Sequence, residues 1–198
     1  MLALGDSLTA GYGLPPDEGL VPQLQRWLDA NGGGVTLVNA GVSGDTTAGG
    51  LARLDWSLTP EVDAMMVILG GNDLLRGLDP AQARSNLDAI LARAQAEGLP
   101  VLLVGLRAPG NYGPDYQRQF GAIYADLAAT YGALLEPDFF AAFGTDLAAA
   151  RSLMQPDGIH PSAEGVARVV ERLGPRLQEL AREAEPPAVR QAGPRVAP

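Results

Sequence analysis

Residues 64–73, with the sequence AMMVILGGND, join a six-residue apolar run to a polar segment that begins with two glycines. A continuous apolar run of this length is typical of a strand that is buried on both faces in a parallel sheet. The glycines permit a sharp turn directly after it. We therefore predict that strand Ala64–Leu69 lies inside a parallel α/β sheet and that Asn72 follows its carboxyl end.

Further apolar runs with strand character alternate with stretches of helical period, which favours a parallel α/β sheet with helices on both faces. The predicted strands are Met1–Leu4, Val35–Asn39, Ala64–Leu69, Val101–Leu106 and Ala133–Leu135, and the main predicted helices cover 19–30, 46–54, 79–96, 115–131 and the residues after the Ser162 cap to about 184. If the strands take the order 2-1-3-4-5, which is common in sheets of this kind, the ends of the first three strands are neighbours. Ligands of such sheets bind at that edge.

The composition limits the possible classes of protein. The chain has 198 residues, 46% hydrophobic content, a formal charge of −9 and no cysteine. The acidic balance disfavours nucleic acid, and no run approaches the roughly 18 apolar residues of a stable membrane anchor. We expect one domain over 1–184 and a disordered tail over 185–198, which contains four prolines. The compartment stays open: periplasmic or secreted if a leader has been removed, otherwise cytoplasmic. The oligomeric state also stays open.

Four short blocks carry the residues that could do chemistry. They are Gly5–Leu8 (GDSL), Gly41–Gly44 (GVSG), Gly70–Asp73 (GGND) and Asp157–His160 (DGIH). The first three follow predicted strands, and the fourth precedes the last helix. We therefore expect all four at one edge of the sheet.

These blocks supply the groups that acyl transfer to water requires. Ser7 is the candidate nucleophile, and His160, the only histidine, is the candidate base. Asp157 lies three residues before His160, close enough in a tight turn to orient the imidazole. The Ser7 and Gly44 N–H groups and the Asn72 amide are candidate donors to an oxyanion.

Each residue also has a structural interpretation by itself, such as a helix cap for Ser7 or a turn for Asp157. A non-catalytic α/β module that binds a small anion at its glycine-rich loops is the alternative of another class. The Gly-x-Ser-x-Gly elbow of α/β-hydrolases is absent. Four independent loops have no reason to place Ser, Gly, Asn and Asp-x-x-His after strand ends, so the joint pattern favours catalysis.

The blocks resemble those of the SGNH (GDSL) hydrolase superfamily, and most closely its bacterial arylesterase / thioesterase I–protease I–lysophospholipase group. The resemblance covers residues 2 to about 180 and is carried by the segments 5–13 (GDSLTAGYG), 39–46 (NAGVSGDT), 70–73 (GGND), 107–113 (RAPGNYG) and 157–161 (DGIHP). It implies a flavodoxin-like three-layer α/β/α sandwich with a five-stranded parallel sheet in the order 2-1-3-4-5. It also implies a Ser7–His160–Asp157 triad, an oxyanion hole of Ser7, Gly44 and Asn72, and no metal or organic cofactor.

The same resemblance sets the expected substrates. We predict a serine esterase that acts on aryl esters or esters of short-to-medium acyl chains, with acyl-CoA thioesters or lysophospholipids as the alternative. Side chains that could line the substrate groove are Tyr12, Leu74, Leu75, Pro109 and Tyr112. An ordinary helix lead-in is an equally good interpretation of the leucine pair.

Overall fold

A five-stranded, all-parallel sheet in the order β2-β1-β3-β4-β5 forms the centre of the molecule, in a computed structural model that describes residues 1–184. The strands are β1 (Leu2–Gly5), β2 (Val38–Gly41), β3 (Met65–Ile68), β4 (Val101–Val104) and β5 (Leu134–Glu136). The predicted fold class and strand order are confirmed. The proposed tail over 185–198 lies outside the described residues.

Helices flank the sheet. They are α1 (Ser7–Ala10), α2 (Leu20–Ala30), α3 (Thr47–Ala52), α4 (Leu54–Ser57), α5 (Gly71–Leu75), α6 (Pro80–Ala96), α7 (Pro114–Tyr131), α8 (Leu147–Ser152) and α9 (Ala163–Ala184), with 3-10 turns at Gly110–Tyr112 and Phe139–Phe143. Helix α2 packs on α9, and α6 packs on α7. As predicted, Asp79 caps α6, where its carboxylate accepts the Ala81 N–H at 2.9 Å.

Strand β3 lies at the middle of the core. All six residues from Ala64 to Leu69 are fully buried. The prediction of a strand that is buried on both faces is therefore confirmed. The same hydrophobic cluster includes the buried faces of α2, α6, α7 and α9, so one continuous core supports the edge of the sheet where the blocks lie.

Strand β2 begins three residues later than predicted. The side-chain amide of Gln25 donates to the Val35 carbonyl at 2.8 Å and accepts the Leu37 N–H at 2.8 Å. These backbone groups are therefore satisfied by a helix side chain, and sheet pairing begins only where the Val38 N–H donates to the Met1 carbonyl. The apolar content of Val35–Leu37 reflects packing on the core, not membership of the sheet.

The short helices α1 and α5 were not predicted, and both follow strands at the edge that carries the blocks. Helix α1 begins at Ser7 and α5 begins at Gly71. Four- and five-residue helices give too little periodicity to be detected in a sequence.

Strand β4 ends earlier than predicted, at Val104, and Leu106 lines a surface cavity.

Candidate active site

The sheet register brings the first three blocks together. Gly5, at the end of β1, pairs with Gly41 at the end of β2 and with Ile68 at the end of β3. The chain then leaves the sheet at three adjacent points. Ser7, Gly44 and Asn72 consequently lie on neighbouring segments just beyond the strand ends, as the predicted strand order requires.

Ser7, His160 and Asp157 form a hydrogen-bonded row. The Ser7 Oγ lies 2.8 Å from Nε2 of His160, and Nδ1 of the same ring lies 2.7 Å from Oδ2 of Asp157. Residues 153 positions apart in the chain are thus in direct contact. A carboxylate at Nδ1 favours the tautomer that carries its proton there, which leaves Nε2 free to accept a proton from the hydroxyl.

The loop that carries His160 is closed on itself. The Gln155 N–H donates to the His160 carbonyl at 2.7 Å, and the Gly158 N–H donates back to the Gln155 carbonyl at 2.9 Å. The Gln155 side chain also donates to the Tyr12 carbonyl at 2.8 Å. These bonds join the loop that carries His160 to the segment that follows helix α1, which begins at Ser7, and so they hold the two residues close together.

Asp157 is held in its charged form. Its Oδ2 faces the imidazole, and its Oδ1 accepts the backbone N–H groups of Ile159 at 2.9 Å and His160 at 3.0 Å. The hydrogen bond from the His160 ring, followed by those from the two backbone groups, lowers the pKa of Asp157 to about 2. The carboxylate is therefore ionised throughout the neutral range and can stabilise an imidazolium beside it.

Three N–H groups remain available at the ends of β1, β2 and β3. Within residues 1–184, the Ser7 and Gly44 N–H groups have no hydrogen-bond acceptor. The Asn72 amide uses one hydrogen to donate to the Asp45 carbonyl at 2.8 Å, which leaves the second hydrogen free. Gly44 has φ +87°, and the Asp45 N–H donates to the Val42 carbonyl at 3.1 Å. This φ is that of the third residue of a type II turn, which glycine occupies without strain.

The Asn72 segment is anchored from beneath. The buried carboxylate of Asp73 accepts the Thr47 N–H at 2.8 Å and the Thr47 hydroxyl at 2.7 Å, which joins α5 to α3. Gly70 has φ +119°, and a Cβ there would lie 2.3 Å from the Tyr124 hydroxyl. The fold therefore requires glycine at position 70. The hydrogen bonds of Asp73 to Thr47 were not predicted from the sequence.

A cavity of about 590 Å³ opens beside Ser7, Asn72 and His160. Its apolar wall includes four of the five predicted groove residues, Leu74, Leu75, Pro109 and Tyr112, together with Leu106, Phe140, Met154 and Ile159, which were not predicted. Tyr12 does not line this cavity. Its ring lies against His160, with the ring centroids 4.6 Å apart. Gly44 is exposed and does not line the cavity either.

Asp6 is a buried carboxyl beside Ser7. It is 1% exposed, and its Oδ1 accepts the Leu8 N–H at 3.0 Å, so it caps α1. Burial raises the pKa of Asp6 to about 6, although the Leu8 N–H and His160 oppose the change. The folded-state pKa of Asp6 lies above the ordinary value of 3.8. The contribution of Asp6 to folding stability is therefore fully present below pH 3.8 and is lost as the pH rises through about 6.

We expect Asp6→Asn to increase the free energy of unfolding at pH 8 by about 1–3 kcal/mol, because the amide keeps the cap and removes a buried charge. At pH 4 the gain should be much smaller. Urea unfolding at both pH values measures it, with the exposed Asp17→Asn as the control. An equal gain at both pH values, or a loss at pH 8, would contradict the assignment.

No group of three or more His, Cys, Asp or Glu side chains within residues 1–184 is placed to hold a metal ion. In the same range, no helix is both long and apolar enough to cross a membrane. The expectation of no cofactor stays a prediction.

The fold and the four blocks together define a hydrolase of the SGNH (GDSL) class. The model of the GDSL-like lipase/acylhydrolase family matches residues 3–168, and this chain belongs to that family. The predictions of family, fold and hydrolase class are confirmed.

Relatives of known name cover almost the whole chain. Esterase TesA of Pseudomonas aeruginosa is 44% identical over 91% of this chain and 88% of its own length. Thioesterase 1/protease 1/lysophospholipase L1 of Escherichia coli is 36% identical over 91% of this chain and 84% of its own length. Among solved structures, the psychrotrophic esterase EstA from Pseudoalteromonas sp., inhibited by monoethylphosphonate, matches with a TM-score of 0.82 at 34% identity, covering 91% of this chain and 97% of that one.

Proposed function

We propose that this protein hydrolyses carboxylic esters, aryl esters or esters of short-to-medium acyl chains, through a Ser7–His160–Asp157 triad and an acyl-enzyme intermediate. The observation that carries the proposal is the row of two hydrogen bonds, 2.8 and 2.7 Å long, from Ser7 through His160 to Asp157. The esterase names of the relatives support the substrate class. We also propose that residues 1–184 are a single hydrolase domain.

In the proposed reaction, Nε2 of His160 takes the proton of Ser7 while Oγ attacks the ester carbonyl. The resulting oxyanion is bound by the Ser7 N–H, the Gly44 N–H and the free hydrogen of the Asn72 amide. The imidazolium, stabilised by Asp157, then gives its proton to the leaving alcohol. Water repeats the sequence on the acyl-enzyme and releases the acid.

The cavity supports an apolar acyl group or aryl alcohol as the bound portion. Its volume of about 590 Å³ lies within the range of small-molecule sites, and most of its wall is aliphatic or aromatic. A series of p-nitrophenyl esters of increasing acyl length, with an acyl-CoA and a lysophospholipid beside it, tests the substrate class through kcat/KM. A preference for either of the last two would replace the ester proposal with its thioesterase or lysophospholipase alternative, which the name of the Escherichia coli relative supports.

We expect Asn72→Ala to lower kcat by ~10²–10³-fold with little change in KM, because the amide binds charge that develops only in the transition state. Steady-state kinetics on a p-nitrophenyl ester measures this. Asn111→Ala is the control, since Asn111 lines the same cavity but has no proposed role in the oxyanion hole. A change in KM alone would argue against Asn72 as an oxyanion donor.

A further inference from the structure

One ion pair, between Arg53 and Asp45, connects the loops of the first and second blocks. The Nε of Arg53 lies 2.6 Å from Oδ2 of Asp45, and its Nη2 donates to the Gly5 carbonyl at 2.8 Å. The two side chains are 22% and 19% exposed. In every other arginine–carboxylate pair within residues 1–184, at least one side chain is more than 40% exposed. This pair is therefore the one least screened by solvent.

The backbone of Asp45 extends the connection to the third block. Its carbonyl accepts the Asn72 amide at 2.8 Å, and its N–H closes the turn that presents Gly44. On the other side, the Gly5 carbonyl that binds Arg53 lies two residues before Ser7. The three N–H donors proposed for the oxyanion thus belong to three separate loops, and Arg53 and Asp45 contact all three loops.

We propose that Arg53 and Asp45 are positioning residues that set the relative positions of the three oxyanion donors. The inference rests on the proposed function, because it assumes that these donors bind the oxyanion. Preorganised donors stabilise a transition state only while they stay in place, and a misplacement of about 1 Å can cost ~10²-fold in rate. The planar guanidinium fork contacts two acceptors at once, whereas a lysine ammonium is a single point charge.

Arg53→Ala should therefore lower kcat ~10–100-fold and leave KM within about 3-fold. Arg53→Lys should restore little of the loss, because one ammonium does not reproduce both contacts. Arg93→Ala is the matched control, since Arg93 also pairs with an aspartate of this region, Asp55, at 3.1 Å but contacts none of the three loops. Its kcat should equal that of the wild type.

A second variant disturbs the pair without removing either member. A Cβ at Gly49, in α3, would lie 2.7 Å from Oδ1 of Asp45 and would displace the carboxylate from Arg53. Alanine is also the better helix former, so Gly49→Ala should lower kcat without lowering Tm. Gly121→Ala, in α7, is the control because a Cβ there meets no atom within 4 Å. Gly49→Ala decides the question even if Arg53→Ala does not fold.

The double variant separates positioning from a purely structural role. In the Asn72→Ala background, the loss from Arg53→Ala should be several-fold smaller than in the wild type, because one of the positioned donors is already gone. Independent, multiplicative losses would overturn the inference, as would wild-type kcat in both Arg53→Ala and Gly49→Ala or a change confined to KM. If Asn72→Ala itself keeps the wild-type kcat, the proposed oxyanion hole fails instead, so the two failures are distinguishable.

Discussion

Replacing Ser7 by alanine is expected to lower kcat for a p-nitrophenyl ester by at least ~10⁴-fold while the fold stays intact. The alanine has no Oγ to attack the carbonyl, and His160 then has no hydroxyl at 2.8 Å from which to take a proton. The activity that remains should reflect the oxyanion donors and substrate binding alone. Ser7 begins a short helix whose cap is Asp6, so the loss of the hydroxyl leaves the cap and the backbone hydrogen bonds of this helix unchanged.

A fluorophosphonate probe checks the same assignment chemically. It should label the wild-type protein once, at Ser7, and it should not label Ser7→Ala. Ser43→Ala is the control, because Ser43 lies beside Gly44, whereas the hydrogen bonds of the His160 ring within residues 1–184 go to Ser7 and Asp157. It should keep both labelling and turnover. Wild-type turnover by Ser7→Ala, or its labelling, would refute the nucleophile and restore the anion-binding alternative.

The second large effect is expected for Asp157→Asn, which should lower kcat by ~10⁴-fold although the two side chains have the same shape. The Oδ1 position accepts two backbone N–H groups, those of Ile159 and His160. The amide oxygen of asparagine must occupy that position, so its NH₂ group faces Nδ1 of His160. The imidazole then carries its proton on Nε2 and cannot act as a base toward Ser7.

The tautomer of His160 also sets the expected order of activity of two Asp157 variants. Asp157→Ala leaves the imidazole free to adopt either tautomer, so the asparagine variant should be no more active than the alanine variant. Measurement of kcat at neutral pH for both decides this, and the tautomer can be followed by the ¹⁵N shifts of His160. Asparagine with near wild-type activity would show that Asp157 does not orient the base.

Much of the fold was predictable because its signals are local. The apolar run Ala64–Leu69, the cap at Asp79 and the helix from the Ser162 cap to Ala184 each depend on a few consecutive residues. The predictions failed where a side chain from elsewhere in the chain, and not the local sequence pattern, determined the local structure. Gln25 satisfies the backbone before β2, and the Asp73–Thr47 bonds anchor a helix too short to show periodicity.

The candidate site also contains residues that the sequence identified and residues that it did not. The residue types at Ser7, Gly44, Asn72, Asp157 and His160 were apparent from motif chemistry, since acyl transfer requires a nucleophile, a base and oxyanion donors. The residues that join their segments by hydrogen bonds, such as Arg53 and Gln155, have no motif. Their hydrogen bonds to carbonyl groups of distant residues exist only after the loops meet.

The amino-acid sequence by itself determined the α/β class and the chemical groups, because local patterning and motif identity are properties of the unfolded chain. The family and the strand order followed from the resemblance of its motifs to those of the SGNH (GDSL) hydrolases. Only the tertiary structure decided that the Ser7 hydroxyl meets the imidazole, that Tyr12 lies against His160 and that Leu106, Phe140 and Met154 complete the cavity. The physical reason is that these contacts join residues far apart in the chain. Their distances are set by the register of the parallel strands and by the packing of the helices.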